Sequence, residues 1–345
     1  MSEPITERIS RKTGISGLVQ LLTGRLSGTE LNSLLLEIFH ARVGRVRPQG
    51  LLQQYQVNPF VQPSDLDMIG LLEMELKALR YLQGREFQPL ELSPAAQWGS
   101  CSVVATVSQK KIISAIRHTE IMADATNALA LHIAGIRKNV KRGDGAAGAG
   151  GTAVGADLRK DDEDAGDGDA KKRSDGFLRF CTVHRHIRAQ EMKGSGFTPH
   201  FKVGCLVTAG RDTGNYQFEC LAMEEQINSL YHLFRDVFCV DRVRFKLQRR
   251  AGVAERNDCI DRVHAYLRER AGEIRISLEE PVVENRYYKG IQYKMVIEMV
   301  GKEWEIADGG FVDWTSQLLG DRKERLLIGG WGLDFLYRLQ HDLLS

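Results

Sequence analysis

Hairpin spacing of apolar strands in the C-terminal half is the feature that most narrows the folds open to this chain. Residues 282–288, 291–299 and 304–308 read as short strands, with Gly301 and Lys302 placed as a turn. Connections this tight join antiparallel neighbours, because parallel strands need a crossover of a dozen or more residues. Upstream, residues 177–188 and 200–207 read as two strands around a Gly-containing loop, followed by a helix at 216–237 and a strand at 239–247. A helix at 257–271, a strand at 325–328 and a closing helix at 333–344 complete the pattern. Hairpin-linked strands with helices grouped between them predict an α+β fold, an antiparallel sheet flanked by helices. No strand leads into a GxGxxG turn, so a dinucleotide-binding doubly wound sheet is excluded.

The N-terminal half is more helical. Residues 15–45 carry Leu18, Leu21, Leu22, then Leu31, Leu34, Leu35, Ile38 and Phe39 at helical spacing. Residues 49–63, polar and Pro-bounded, read as a connector, so residues 1–63 are expected to form a small helical extension and 64–345 the core. Ser64 and Asp65 offer an N-cap to a long helix whose stripe of Leu66, Ile69, Leu72, Leu76, Leu79 and Leu82 runs to Gly84. A strand at 87–94 ending in Pro94, two paired strands at 101–107 and 111–117, and a helix at 124–139 follow. Residues 141–176 are mostly Gly, Ala, Asp and Lys, too poor in apolar surface to offset ordering entropy, and read as a disordered insertion within one domain.

The 345 residues suffice for a sizeable core, and 47 Lys+Arg against 45 Asp+Glu leave a net charge of +2, which excludes a protein that coats polyanions through bulk charge. No apolar run approaches a membrane span and the first residues are polar, so a cytoplasmic location is expected. Six cysteines without CxxC pairing point to buried free thiols rather than a metal site or disulfide framework. Arg42, Arg45 and Arg47 suit either RNA phosphate or the negative end of a helix.

Two segments carry chemistry. In residues 183–201, VHRHIRAQEMKGSGFTPHF, Arg188 offers a planar, permanent cation for an α-phosphate, Phe201 a face for adenine, and Lys193 a charge for outer phosphates. An ordinary polar hairpin explains the same residue types. Asp124 and Thr126, at i and i+2 before a helix, can accept hydrogen bonds from an ammonium or serve as a cap.

The order of these segments resembles the catalytic core of class II aminoacyl-tRNA synthetases, of the histidyl type, over roughly residues 65–344. The resemblance implies that residues 65–94, closed by Pro94, form the first motif and a homodimer element. Arg188, Ala189, Gln190 and Phe201 match the second motif with Gln190 replacing its acid; Arg188 becomes the catalytic cation at the α-phosphate, and Gln190, Lys193, His200, Phe201, Gly332 and Asp334 complete an ATP site. Asp124 and Thr126 match the segment that binds the amino-acid amine, and Tyr288, Gly309, Gly310 and Asp313 match the amino-acid recognition segments. Val283 stands where that family has its catalytic arginine, Arg286 where it has Asp, and Phe335 where the third motif has the γ-phosphate arginine; Arg338 is one turn further on. The resemblance implies ATP and Mg2+ as cofactors, an amino acid or similar carboxylate as substrate, and an acyl-adenylate passed to a tRNA, a carrier protein or a small amine. With the sequence ending at Ser345 no anticodon-binding domain is expected. The alternative implied is a catalytically inactive subunit like the regulatory subunit of ATP phosphoribosyltransferase, whose partner is the regulated enzyme.

Overall fold

The computed structural model describes residues 3–142, 176–189, 198–250, 258–282 and 287–344. Four helices come first: α1 (Ile5–Thr13), α2 (Leu18–Arg25), α3 (Gly28–Val43) and α4 (Pro48–Val57). The stretch expected as a connector is thus largely helical. Pro48 sits in the first turn of α4, where its missing N–H leaves no bond unmade, so this proline starts a helix rather than bounding a loop. None of the four helices buries a residue fully. The α3 helix touches the core where Asn32 accepts from the Arg117 N–H (3.1 Å) and meets His118 Nε2 (3.2 Å).

Helix α5 (Met68–Gly84) is capped by Asp67, whose carboxylate accepts from Ile69 and Gly70 N–H, and not by Ser64 or Asp65. Leu71, Met74, Ala78 and Leu82 face the core, whereas Ile69, Leu72 and Leu76 of the expected stripe lie exposed with Met68. The helix is apolar on two faces, and periodicity alone cannot say which is inward.

The strand expected at 87–94 pairs only at β1 (Gln88–Pro89). The strands expected at 101–107 and 111–117 are absent among the described residues. Helix α6 (Ser100–Val103) and a 3-10 turn at Gln109–Lys111 stand there, flanked by the true pair, β2 (Ala95–Gln97) and β3 (Thr119–Ile121). The Glu120 carboxylate organises this region: it accepts from Gly99 and Cys101 N–H, Ser100 Oγ and Gln109 Nε2, and the chain folds around it instead of alternating. Burial alone would raise the Glu120 pKa; these donors more than reverse it and hold it low.

Helix α7 (Ala125–Arg142) leads to the main sheet. The expected insertion at 141–176 lies outside the described residues from 143 to 175. Then come β4 (Leu178–Ile187), β5 (His200–Arg211), α8 (Gln217–His232) with a π-helical turn at Leu233–Val237, β6 (Val243–Arg250), α9 (Cys259–Arg270), β7 (Arg275–Val282), β8 (Ile291–Met299), β9 (Lys302–Val312), α10 (Trp314–Leu319), β10 (Glu324–Gly332) and α11 (Leu333–Gln340). The eight-stranded sheet runs β1-β4-β5-β10-β9-β8-β6-β7. Its six inner strands are antiparallel and each edge strand pairs in parallel, so the fold is α+β as expected. The strand expected at 282–288 is instead β7, brought parallel to β6 by the α9 crossover. Residues 283–286 lie outside the described set.

One sheet face carries α5, α8, α9 and α11 around Leu206, Phe245, Tyr293 and Leu327. The other is covered by α7 and α10 only over Phe180, Val207, Leu326 and Ile328. Five cysteines are buried free thiols and Cys239 is exposed. Among the described residues no helix is long and apolar enough to cross a membrane.

Helix α11 is tied to the entry of α5. Arg338, 5% exposed, makes a two-pronged ion pair with Asp65, and Tyr337 donates to Asp67 (3.4 Å). The Arg338 hydrogen bond holds the Asp65 carboxyl below its usual pKa. Replacing Asp65 with Asn is expected to remove about 1 kcal/mol in urea unfolding at pH 7, since the exposed carboxylate is screened. Its contribution exists above the unfolded pKa of about 4 and disappears as pH falls through the lower folded value, so variant and parent should converge once pH lies below both.

Candidate functional site

Where α7 and α10 leave the sheet uncovered, a cleft of about 850 Å3 opens over β5, β8, β9 and β10. Strand parity selects its floor: Phe201, Val203 and Cys205 from β5, Ile328, Gly330 and Gly332 from β10. On β9 a bulge intervenes, since Met295 and Val296 oppose Ala307 and Glu305 with Ile306 unpaired. The extra residue reverses parity along the strand, so Glu305 and Asp308, three apart, both line the cleft.

At one wall, Asp124 holds the first turn of α7: Oδ1 accepts from Thr126 N–H (3.0 Å) and Oγ1 (2.6 Å), and Oδ2 accepts from Tyr287 O–H (2.7 Å). The cap and a cleft-lining carboxylate are therefore one residue. Burial first, then the Asp124 charge, pushes the Tyr287 pKa well up and keeps it a donor. Next along the floor, Asp308 Oδ2 accepts from Tyr288 O–H (3.0 Å) and Gln292 Nε2 (3.2 Å), and Arg250 Nε donates to Gln292 Oε1 (2.5 Å). Asp308 is open to cleft water yet ringed by protein, which raises its carboxyl pKa despite the Tyr288 hydrogen bond. Glu305 is bonded to Lys294 (2.6 Å).

Arg188 leaves the end of β4 with its backbone N–H on the Pro199 carbonyl (3.0 Å), its Nε donating to the Ala123 carbonyl (3.3 Å) and its guanidinium 5.3 Å from the Phe201 ring centre. Beside it, His186 Nε2 accepts the Ala125 N–H (3.1 Å) at the start of α7, so Nδ1 carries the proton of a neutral ring. That Nδ1 is buried without a hydrogen-bond partner among the described residues. Burial lowers the His186 pKa to about 4.

Of the residues expected at the site, Arg188, Phe201, Asp124, Thr126, Tyr288 and Gly332 line this cleft. Gln190 and Lys193, with Val283 and Arg286, lie outside the described residues. His200 has the opposite parity to Phe201 and turns from the cleft, its Nε2 on the Gln62 carbonyl (2.7 Å) and its Nδ1 accepting from Arg185, which also reaches Asp334 (3.4 Å). His200 and Asp334 thus sit in a structural chain on the helix-covered face. Gly309 and Gly310 serve close packing: a Cβ would lie 2.4 Å from the Tyr293 ring in the first and 2.7 Å from Tyr288 Cδ1 in the second. Asp313 pairs with Lys289 (3.6 Å) away from the cleft. Phe335 packs edge-on to Trp304 (5.5 Å), and Arg338 is committed to Asp65 rather than reaching in. Sequence reasoning missed His186, Tyr287 and Asp308. Counting parity from Arg188 would have found His186, and an acid inside an otherwise buried strand should have marked Asp308.

No family model and no curated protein matches the sequence. Solved structures do. A histidyl-tRNA synthetase of S. aureus aligns with a TM-score of 0.54 at 10% identity, over 83% of this chain and 70% of that one. A Bacillus halodurans protein described as an ATP phosphoribosyltransferase regulatory subunit/histidyl-tRNA synthetase gives 0.51 at 11%, over 84% and 83%. A histidine-tRNA ligase subunit of Alicyclobacillus acidocaldarius gives 0.53 at 10%, over 83% and 97%. The chain therefore has a class II aminoacyl-tRNA synthetase-like core. Within that class, the structures it resembles include both histidyl enzymes and a regulatory homologue.

His186 makes the site acid-sensitive. Its folded pKa of about 4 lies below the unfolded value near 6.5, so the unfolded chain takes up a proton that the folded chain refuses as pH falls between them. Stability is full above about pH 6.5, and between pH 7 and pH 5 this group removes about 2 kcal/mol. Urea titrations at both pH values should show that slope in the parent and its loss in His186→Gln, which keeps an acceptor for Ala125.

Proposed function

We propose that this chain binds an amino acid, or a similar amine-bearing carboxylate, and activates it with ATP as an acyl-adenylate. The observation that carries the reading is that Arg188 and the Asp124 carboxylate line one cleft, a cation and an anion for the two ends of a zwitterion. The ligand amine takes the free lone pairs of Asp124. A carboxylate oxygen attacks the α-phosphorus, the new O–P bond forms as the α–β anhydride bond breaks, and pyrophosphate leaves. Arg188 stabilises the charge that grows on the α-phosphate, and Phe201 offers its ring to adenine. Magnesium travels with the nucleotide phosphates, and no acid of this chain is assigned to it. The acyl group then passes to a tRNA, a carrier protein or a small amine.

A second reading, a regulatory subunit that binds the amino acid without activating it, is favoured by one specific observation. Helix α11 offers the cleft no guanidinium: Phe335 is engaged with Trp304 and Arg338 with Asp65. Pyrophosphate exchange across the amino acids, with calorimetric binding beside it, separates the two. Exchange reduced at least 100-fold by Arg188→Ala supports activation; amino-acid binding with no exchange for any acid or ATP supports the regulatory reading.

The outer face of α5 suits a homodimer. Met68 (70% exposed), Ile69 (64%), Leu72 and Leu76 form an apolar stripe on the helix that resembles the first motif. Light scattering at micromolar concentration is expected to give twice the chain mass, and Leu72→Glu with Leu76→Glu to give the monomer.

A further inference from the structure

We infer that the cleft selects an amino acid whose side chain ends in a permanent cation, an amine or guanidinium, with Asp308 as its counter-charge; this rests on the amino-acid reading above. The β9 bulge turns Asp308 into the cleft. Tyr288 and Gln292 both donate to Oδ2, fixing the carboxylate, while Oδ1 has no hydrogen bond among the described residues. Tyr288 reaches it because Gly310 has no Cβ to displace the ring. The group is thus rigid, half-satisfied and open to cleft water.

Once a zwitterion is placed, charge accounting within the cleft leaves the same residue as the one acid without an ion pair among the described residues. A zwitterion matches Asp124 and Arg188. Glu305 already holds Lys294 (2.6 Å). Asp308 makes no salt bridge among the described residues; Arg250 is hydrogen-bonded to it only through Gln292, and Arg250 and Arg188 otherwise act on it by charge at longer range. What remain are Lys111 and one fixed anion with a free oxygen, and a charge-assisted hydrogen bond from a ligand cation completes the anion. A second observation, independent of the acids, marks the cleft as built for a ligand. The neutral His186 ring, 1% exposed, belongs to the cleft lining and carries a buried Nδ1–H that has no partner among the described residues, a donor suited to a ligand carboxylate.

The test pairs near-isosteric ligands so that only charge differs: arginine against citrulline, and lysine against norleucine, titrated calorimetrically into the full chain with and without ATP. Each cation is expected to bind at least tenfold tighter than its neutral twin. Asp308→Asn should erase that preference, while Tyr288→Phe, a milder change, should halve it or more, and Arg188→Ala should weaken all four ligands alike. Equal binding of the twins by the parent, which needs no variant to fold, overturns the selection by Asp308 and leaves the amino-acid reading standing. Binding of histidine alone among basic amino acids also overturns it, since its imidazole is largely neutral at pH 7.5. No binding of any amino acid overturns both.

Discussion

Tyr293 lying across a pair of glycines holds the centre of this protein together. Gly309 and Gly329 face each other on β9 and β10, and a Cβ on either would come within 2.4 Å of the tyrosine hydroxyl or ring. Through that gap the hydroxyl donates to Gln226 Oε1 (3.1 Å) on α8, and Gln226 Nε2 returns to the Leu327 carbonyl (3.2 Å). A fully buried amide with both ends satisfied is costly to disturb, because any shift strands a polar group away from water. The interaction seats α8 on one face and lets β8, β9 and β10 close, leaving the opposite face free to carry a cleft.

Strand parity then divides the polar residues into two populations with different work. On the helix-covered face, His200, Arg185 and Asp334 form a chain that ends on Gln62 and joins the N-terminal segment to α11. On the open face, the side chains of Arg188, Asp124 and Asp308 retain unfilled capacity toward the cleft. A single inserted residue, Ile306, decides on which side Asp308 falls.

Much of this was legible in the sequence. Hairpin spacing and helical periodicity gave the α+β class, and the segment order gave the synthetase-like core, because both depend on local pattern. Three things were not. Pro48 reads equally as a boundary or a helix start until its neighbours are placed. Residues 101–117 carry strand-like alternation, but the buried Glu120 carboxylate gathers donors from Gly99 to Gln109, and a many-partner polar centre leaves no periodic trace. His200 and Phe201 are adjacent in sequence and opposite in space, so a motif copied as a block places one of them correctly and the other not.

The departures from the histidyl pattern fall at both ends of the expected site, Val283 and Arg286 in the recognition segment and Gln190 and Phe335 at the phosphates. Phe335 replaces a cation and sits in apolar contact, and Arg338 cannot substitute, because moving it would leave its buried site and strip Asp65 of its partner. The ligand end is different: every polar group from Asp124 through Tyr287 and Tyr288 to Asp308 is fixed by at least one short hydrogen bond. Preorganisation of that kind lowers the entropy lost on binding whatever follows chemically. The hydrogen-bonded cleft wall and the α11 segment are thus separable in this chain, and a wall that stays fixed whether or not α11 supplies a cation is what both activation with a relocated cation and amino-acid sensing without activation would require.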